Sequence, residues 1–344
     1  MKKIGLKKIL NGTMVCLLLG GLTACGEKEK AENKNESAKK DNKTYELKVS
    51  TTQADSSIIV KGLQDFAKKV DERTNGGVKI TVYPSSQLGS EEDMIDQAIQ
   101  GMNIAVLSDA ARMSDYVPQM GIFNMAYFVD GYDEAVKVME TETFKGWKDD
   151  LTKHGLRVLT FNFYDGARSF VGHKPATTPQ DLKGQVVRTP GAAPYIESIK
   201  SMQATPYNIA WSEVYNGIQT KSIDGCEVQY TSAVSSHIYE VAKYVNKTEH
   251  INLLNCIVAS EGWFKKLPED YKKIVLDTAQ ESGFENAQYV ISLQDKLEKD
   301  LINNGMTIVE VDKNAFKTAA NKAYEVLKFT ELREKIYNEI GKTN

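Results

Sequence analysis

The feature of this sequence that most constrains its fold is a regular alternation of strand and helix patterns that begins at Tyr45. Alternating apolar residues over 47–49 predict a strand, and apolar residues at helical spacing over 59–70 predict the helix that follows it. A strand over 78–82 and a helix after Ser90 continue the alternation. This order is typical of an α/β protein whose sheet carries helices on both faces.

The same alternation returns in the rest of the chain. Further strands are predicted at 104–107, 156–164, 185–188, 251–258 and 306–311. Ser212 is predicted to cap a helix that runs through Gln219, and a helical pattern returns after Asn314. Pro268 is predicted to open a helix that residues 303–305 close, roughly 35 residues or about 50 Å long. A helix of that length either curves or runs along two domains.

The N-terminus has the pattern of an export signal. A basic start is formed by Lys2, Lys3, Lys7 and Lys8. The apolar run over 14–22 would rise only about 14 Å as a helix, against roughly 30 Å for the hydrocarbon core of a bilayer. Residues 22–25 (Leu-Thr-Ala-Cys) are similar to the box at which bacterial lipoproteins are cleaved and lipidated. We therefore expect residues 1–24 to be a signal peptide and Cys25 to be lipidated; an ordinary signal peptide with a chance cysteine is the alternative.

The segment after Cys25 is polar and carries charges of both signs, which predicts a flexible tether over residues 25–43. Such a coil would span roughly 20–25 Å. A lipid at Cys25 joined to the folded body by this tether would keep that body beside the membrane, so we expect it to work on the outer face of the cytoplasmic membrane. The remaining cysteines, Cys226 and Cys256, are expected to be buried small apolar residues rather than a disulfide.

Charge and composition exclude several classes of protein. With 41% hydrophobic and 26% charged residues, the chain is neither disordered throughout nor collagen-like. Its formal net charge of −3 becomes −7 once the four N-terminal lysines are removed, so no basic field favours a nucleic acid partner. The four histidines show no metal-binding spacing, and the sequence has no nucleophile elbow, phosphate loop or dinucleotide fingerprint. We expect no metal, no cofactor and no enzyme activity, although carboxylates that meet only in space leave an exported enzyme as an alternative.

Four motifs in register carry a family resemblance. They are Tyr-Pro-Ser-Ser-Gln-Leu-Gly at 83–89, Asp-Leu-Lys-Gly at 181–184 running into Val-Arg-Thr-Pro at 187–190, Ser-Glu-Val-Tyr at 212–215 followed by Ile-Asp-Gly at 223–225, and Leu-Pro-Glu-Asp at 267–270. Together they resemble the DctP-like substrate-binding proteins of TRAP (tripartite ATP-independent periplasmic) transporters. A solute-binding lipoprotein of an ATP-driven uptake system is the alternative, because it would share the fold without this order of motifs.

The resemblance implies an α/β, two-domain fold like that of periplasmic binding proteins, with crossing hinge strands and one long helix spanning both domains. By analogy, residues 44–165 and 254–293 form domain I, and residues 166–253 and 294–344 form domain II. A small organic anion (a dicarboxylate, sugar acid or keto acid) would bind in the cleft, close it and be delivered to the membrane subunits of a TRAP permease. The receptor is expected to act as a monomer.

The resemblance also implies the ligand-binding residues. Arg188 occupies the place of the arginine that clamps the ligand carboxylate, a role for which two parallel N–H donors suit a guanidinium better than an ammonium. A surface arginine paired with Asp181 or another acidic residue is the alternative. Arg168 matches a second arginine of the cleft, and Trp211 matches an aromatic residue that packs on the ligand's carbon skeleton, with core packing as its alternative. Four positions match the opposite wall and the distal end of the ligand: Thr52, Glu91, Asp109 and Arg112.

One position departs from the pattern of sialic-acid receptors. Where those proteins carry an asparagine that helps to hold the carboxylate, this chain has Val228, which has no side-chain donor. Either Gln229 takes over that role or the carboxylate is held differently, and the departure argues against sialic acid as the ligand.

Overall fold

The computed structural model describes residues 43–342, which are organised around one nine-stranded mixed sheet. The strands are β1 (Tyr45–Ser50), β2 (Val78–Tyr83), β3 (Ile104–Asp109), β4 (Leu156–Gly172), β5 (Val186–Arg188), β6 (Thr205–Tyr207), β7 (Gly225–Gln229), β8 (Tyr244–Ser260) and β9 (Thr307–Val309). The predicted signal peptide, Cys25 and nearly all of the predicted tether lie outside the described residues.

Helices pack against this sheet, as the alternating pattern predicts. They are α1 (Ile58–Arg73), α2 (Glu91–Ile99), α3 (Ala110–Met113), α4 (Tyr132–Glu140), α5 (Glu142–Lys153), α6 (Ala193–Ser201), α7 (Val214–Gln219), α8 (Tyr230–Ser235), α9 (Glu261–Phe264), α10 (Glu269–Asn303), α11 (Lys313–Val326) and α12 (Thr330–Ile340). Short 3-10 turns lie at Pro118–Asn124, Pro179–Leu182, Trp211–Glu213 and Ile238–Glu240. None of the helices within residues 43–342 is both long enough and apolar enough to cross a membrane.

The strand order is β2-β1-β3-β8-β4-β7-β5-β6, with β9 added to one end of β8. Strand β1 runs parallel to β2 and β3, and β5 runs parallel to β6 and β7. We call the part of the molecule built on β1–β3 the first lobe and the part built on β5–β7 the second lobe. The long antiparallel pair of β4 and β8 lies between these two sets of strands.

Strands β4 and β8 cross from one lobe to the other. The C-terminal part of β8, Asn255–Ala259, pairs with β3, whereas the C-terminal part of β4, Arg168–Gly172, pairs with β7. The two strands pair with each other from Leu156 opposite Ser260 to Gly172 opposite Tyr244, with several register shifts on the way. The expected crossing strands are therefore present, and each is 17 residues long, about twice the length predicted from apolar alternation.

Helix α10 spans both lobes, as expected. Val275 and Ala279 pack in the core between α1 and β1, while Leu297 and Leu301 pack in the core around β7. Its 35 residues start directly after Pro268, with two acidic residues in the first turn where the helix dipole favours them.

Local sequence signals explain the first-lobe helices well. Ser57 and Ser90 cap α1 and α2 by accepting backbone hydrogen bonds from Val60 and Asp93. The apolar face of α1 is fully buried against the sheet, and side chains such as Leu63 contribute roughly 1.5–3 kcal/mol each by leaving water.

The C-terminal helices contact both lobes. Helix α11 places Phe316 and Ala320 in the core of the second lobe beside α6. Helix α12 packs on the first lobe, where the Tyr337 hydroxyl donates a hydrogen bond to the carbonyl of Phe128 (2.7 Å). The residue bounds of domains I and II stay a prediction.

Two local expectations have clear outcomes. Ser212 does not cap α7: it lies inside the 3-10 turn Trp211–Glu213, whose tighter backbone pattern leads directly into the helix at Val214. Cys226 and Cys256 are both buried free thiols, which confirms their interpretation as small apolar residues.

Candidate functional site

A cavity of about 440 Å³ lies between the two lobes at the carboxyl ends of their parallel strands. In open α/β sheets this is the edge at which ligands bind. The cavity wall includes every residue predicted from the sequence to bind the ligand: Thr52, Glu91, Asp109, Arg112, Arg168, Arg188, Trp211 and Gln229. The structure therefore brings together side chains that are up to 177 positions apart in the sequence.

Strand ends and short helices place these side chains. In the first lobe, Asp109 ends β3 and Glu91 begins α2. In the second lobe, Arg188 ends β5 and Gln229 ends β7. Arg168 lies on the crossing strand β4, opposite Gln229 in the register of β4 with β7.

Arg168 is bound to a carboxylate of the protein itself. Its Nε and Nη2 donate to the two oxygens of the Glu227 carboxylate, with Nη2 2.7 Å from Oε1, and Nη2 also donates to the Glu227 carbonyl (2.8 Å). Both side chains are buried. Burial by itself opposes ionisation of Glu227, but the charge of Arg168 and the contact with His250 outweigh it and lower the pKa of Glu227 to about 2. The pair is therefore ionised and mutually compensated.

Arg188 is a buried cation without a counter-ion. The residue is 8% exposed, and no carboxylate lies within 4 Å of its guanidinium in the described part of the chain. Nε donates to the carbonyl of Ile209 (3.1 Å), and the guanidinium carbon lies 5.4 Å from the centre of the Trp211 ring. Burial, followed by the positive charge of Arg168, lowers the pKa of Arg188 from its usual value. Arg188 lines the cavity, and only its Nε donates a hydrogen bond to the described residues.

The first-lobe wall of the cavity is acidic. Glu91 accepts a hydrogen bond from the Ser108 hydroxyl (2.6 Å), and burial together with the negative charge of Asp109 raises the pKa of Glu91 to about 7. Arg112 lies in the same wall but is paired with Glu92 at 2.7 Å. This wall therefore offers carboxylate and hydroxyl oxygens rather than a free cation.

Tyr195 links the two walls, and sequence reasoning missed it. Its hydroxyl donates to Asp109 Oδ2 (2.8 Å) and accepts from Asn124 Nδ2 (3.0 Å), while Arg168 lies 5.3 Å above its ring. Tyr195 is a second-lobe residue on α6 and Asp109 a first-lobe residue, so the bond crosses the cavity. No motif marks this tyrosine in the first turn of α6, and only the packed lobes reveal the contact.

Gln229 is engaged mainly with protein groups. Its amide nitrogen donates to the carboxylate of Asp165 and to the hydroxyl of Ser232 (2.9 Å), and Ser232 in turn donates to Gln53 across the cavity (3.0 Å). Burial raises the pKa of Asp165 to about 6. The amide oxygen of Gln229 is buried without a hydrogen-bond partner. With its nitrogen bound to Asp165 and Ser232, Gln229 has no free donor at the place where the asparagine of sialic-acid receptors would offer one, and Val228 beside it is apolar.

Glu227 was not identified from the sequence as the partner of Arg168, although the position of Glu227 on its strand could have indicated the pairing. Glu227 is two residues before Gln229 on β7, and residues diagonal across an antiparallel pair are within reach of long side chains. The signal becomes usable only once β4 and β7 are known to pair. Within residues 43–342, no three His, Cys, Asp or Glu side chains are arranged to hold a metal ion.

Comparisons with known proteins agree with this geometry. Residues 49–331 match the family model described as bacterial extracellular solute-binding protein, family 7 (DctP). A solute-binding protein of Chromohalobacter salexigens is 31% identical over 268 residues, which cover 77% of this chain and 79% of the relative.

Solved structures show the same fold. A TRAP periplasmic solute-binding protein of Actinobacillus succinogenes with bound L-galactonate is 28% identical, with a TM-score of 0.82 over 86% of this chain and 99% of the other. An apo open structure of such a protein from Escherichia fergusonii is 36% identical, with a TM-score of 0.76 over 85% and 99% of the two chains. Fold, cavity and motifs lead to one conclusion: the chain belongs to family 7 of the bacterial extracellular solute-binding proteins, the receptors of TRAP transporters, which bind small organic anions and are not enzymes.

Proposed function

We propose that this receptor holds its ligand by a carboxylate at Arg188 and works as a lipoprotein anchored through Cys25, from which it delivers the ligand to a TRAP permease. The observation that carries the ligand assignment is the guanidinium of Arg188, which is buried at the cavity without any carboxylate within 4 Å in residues 43–342. Burying an uncompensated charge is costly, so the site is expected to be completed by an anion.

The surroundings of Arg188 suit a carboxylate on a small organic skeleton. A guanidinium offers two parallel donors that match the two oxygens of a carboxylate. Arg168 uses Nε and Nη2 on Glu227, while its Nη1 makes no hydrogen bond to the described residues and is proposed to add a further donor. Trp211, half-buried beside Arg188, is proposed to cover the apolar face of the ligand.

The first-lobe residues are proposed to contact the far end of the ligand. Thr52, Glu91, Asp109 and Arg112 line that wall, and Gln229 lines the opposite side. Two hydrogen bonds already cross the cavity, from Tyr195 to Asp109 and from Ser232 to Gln53. The backbone also matches the galactonate-bound relative more closely than the open one, although the open one is closer in sequence. Both observations support a closed arrangement, in which excluded water strengthens every charged contact.

The anchor proposal rests on the sequence alone. Residues 22–25 and the apolar run before them have the pattern of a lipoprotein signal, and the polar residues 26–43 would separate the lipid from the folded body that begins at β1. A receptor held on the outer face of the membrane stays close to the permease that it supplies.

A thermal-shift screen tests the ligand proposal. A ligand that binds only the folded protein raises the melting temperature, so a panel of sugar acids, keto acids and dicarboxylates should contain compounds that raise it. The same compounds should leave the melting temperature of an Arg188→Ala variant nearly unchanged. If no organic anion shifts the wild-type protein, or if the variant responds equally, the proposed role of Arg188 is wrong.

A further inference from the structure

We infer that the cavity selects acids with a single carboxylate and a hydroxylated carbon chain, and that Glu91 and Asp109 reject a second carboxylate at the far end of the ligand. The inference rests on the proposed function, because it places the one carboxylate at Arg188. It goes beyond that function by choosing among dicarboxylates, keto acids and sugar acids.

The second-lobe end of the cavity has one uncompensated positive charge. The charge of Arg168 is matched by Glu227, whose carboxylate also accepts from the Thr189 hydroxyl (3.1 Å). Arg188 has no such partner among residues 43–342. This end therefore balances one carboxylate and no more.

The first-lobe end has no uncompensated positive charge for a second carboxylate. Arg112 is paired with Glu92 at 2.7 Å and has Asp115 at 3.9 Å. Glu91 and Asp109 line the same wall, so a dicarboxylate would bring its far end against two acidic side chains. Like charges placed together in a partly desolvated site are strongly unfavourable.

The acidic wall is suited to hydroxyl groups rather than to an ammonium group. Glu91 already accepts from the hydroxyl of Ser108, and Asp109 from that of Tyr195, so both carboxylates are arranged for O–H donors. Arg112 lies close to both acids and offsets part of their charge. The pKa of Glu91, raised to about 7 by burial and by Asp109, lets its carboxyl group donate as well as accept near neutral pH. A hydroxyl group fits both states, whereas an ammonium group fits only the ionised one.

The rest of the lining is rich in groups that bind hydroxyls. Side-chain hydroxyls and amides reach the cavity from both lobes, namely Thr52, Ser86, Ser90, Asn208, Ser212 and Asn255. A hydroxylated chain would satisfy these groups, whereas a short apolar dicarboxylate would leave them unpaired, which lowers affinity.

Ligands that share one skeleton test the inference by titration calorimetry. L-galactonate ends in CH₂OH, galactarate carries a carboxylate at the same carbon, and 6-amino-6-deoxygalactonate carries an ammonium group there; D-gluconate and D-glucarate form a second matched pair. We expect at least one aldonate to bind. The dissociation constant of its dicarboxylate counterpart should be at least about 100-fold larger. The amino analogue should bind no more tightly than the aldonate.

Each of the other possible outcomes would contradict the inferred selectivity. Equal or tighter binding of galactarate, glucarate or succinate would overturn the selectivity while leaving the role of Arg188 intact, provided that Arg188→Ala abolishes that binding. Tighter binding of the amino analogue would overturn it in favour of a zwitterionic ligand. If no acid binds at all, the proposed function fails and the selectivity fails with it.

A variant pair locates the selectivity. Measured at pH 8, above the pKa of about 7 at which Glu91 ionises, Glu91→Gln should reduce the discrimination against the dicarboxylate at least about tenfold, because it then removes one of the two negative charges from the wall. Asp93→Asn, on the same first turn of α2 but outside the cavity, should leave the discrimination unchanged. Melting curves without ligand establish that both variants fold, and unchanged discrimination in a folded Glu91→Gln protein contradicts the assignment.

Discussion

Arg168 and Glu227 form a two-point ion pair between β4 and β7, with Arg168 Nη2 2.7 Å from Glu227 Oε1 and both side chains buried. This ion pair gives the two arginines of the cleft different roles. Arg168 is held by a carboxylate of the protein, whereas Arg188 is left for the ligand. The guanidinium groups share a cavity, and removing one should have consequences quite different from removing the other.

Loss of Arg188 should abolish tight binding without unfolding the protein. Arg188→Ala removes the proposed partner of the ligand carboxylate, and truncating one member of a buried ion pair typically costs about 3–5 kcal/mol, which is at least about 100-fold in affinity. Because Arg188 has no ion-pair partner in the described residues, its removal leaves no protein charge uncompensated. Calorimetry measures the affinity and a melting curve the fold. Arg188→Lys keeps the positive charge but lacks the two parallel N–H donors of a guanidinium, so this variant should also bind the ligand weakly.

Loss of Glu227 should instead destabilise the fold. Glu227→Gln leaves Arg168 buried without a counter-charge, so we expect the free energy of unfolding to fall by about 3–5 kcal/mol in urea titrations. The matched control is Glu269→Gln, which breaks an exposed pair with Lys272 and should have little effect. Equal stability of the two variants would contradict a stabilising role for the buried pair. Because the pKa of Glu227 falls from 4.5 unfolded to about 2 folded, its contribution is complete above pH 4.5 and is lost as the pH drops towards 2.

Glu91 should make the unliganded protein less stable as the pH rises. Burial and the charges of Asp109 and Glu92 raise its pKa from 4.5 to about 7, opposed by Arg112 and by the hydrogen bond from Ser108. A raised carboxyl pKa stabilises the fold fully below pH 4.5, and this contribution is lost as the pH rises through about 7. The melting temperature of Glu91→Gln should therefore improve, relative to wild type, between pH 5 and pH 8. A constant difference over that range would show that Glu91 does not titrate there.

Ligand binding should be visible in tryptophan fluorescence through a single residue. The chain has three tryptophans, of which Trp147 and Trp263 are buried in first-lobe cores and Trp211 lies at the cavity. We expect a bound ligand to change the emission of the wild-type protein and to leave that of Trp211→Phe unchanged. A full signal in Trp211→Phe would place the ligand, or the change it causes, near one of the other two tryptophans. Affinity should also fall in Trp211→Ala, because the ligand loses its apolar cover.

Membrane attachment should depend on Cys25. In cells that express the full chain, Cys25→Ser should release the receptor from the membrane fraction and abolish incorporation of labelled palmitate, since no thiol remains for the acyl chains. Cys226→Ser, at a buried thiol, serves as the control and should leave labelling unchanged. Labelling that persists in Cys25→Ser would rule out the proposed anchor.

The sequence predicts elements whose signals are local. Helix α1 follows from its apolar spacing, and α10 from Pro268 at its start and residues 303–305 at its end, because these signals lie within a few residues of the elements they define. Strands β4 and β8 are predicted only in part. The remaining half of each strand carries buried polar or charged side chains such as Asp165, Arg168 and Thr248, which are held by hydrogen bonds and ion pairs. Because these side chains are not apolar, they interrupt the alternation from which a strand is predicted.

The candidate site divides in the same way. Motifs identify Arg188 and Arg168 because each lies in a short stretch with a recognisable order of residues. They reveal neither Glu227 as the partner of Arg168 nor Tyr195 as the partner of Asp109, since these pairs are 59 and 86 positions apart in sequence. Tertiary contacts decide which arginine is paired with a carboxylate of the protein and which is left for the ligand. The spacing of residues along the chain does not predict this.

The crossing of β4 and β8 has a consequence for how such a receptor can be divided. Each lobe is assembled from stretches that leave it and return, so no single cut in the gene yields an autonomous half. A protease nick within either crossing strand would damage both halves at once. New specificities are therefore expected to arise by changing side chains in place rather than by exchanging one half for another.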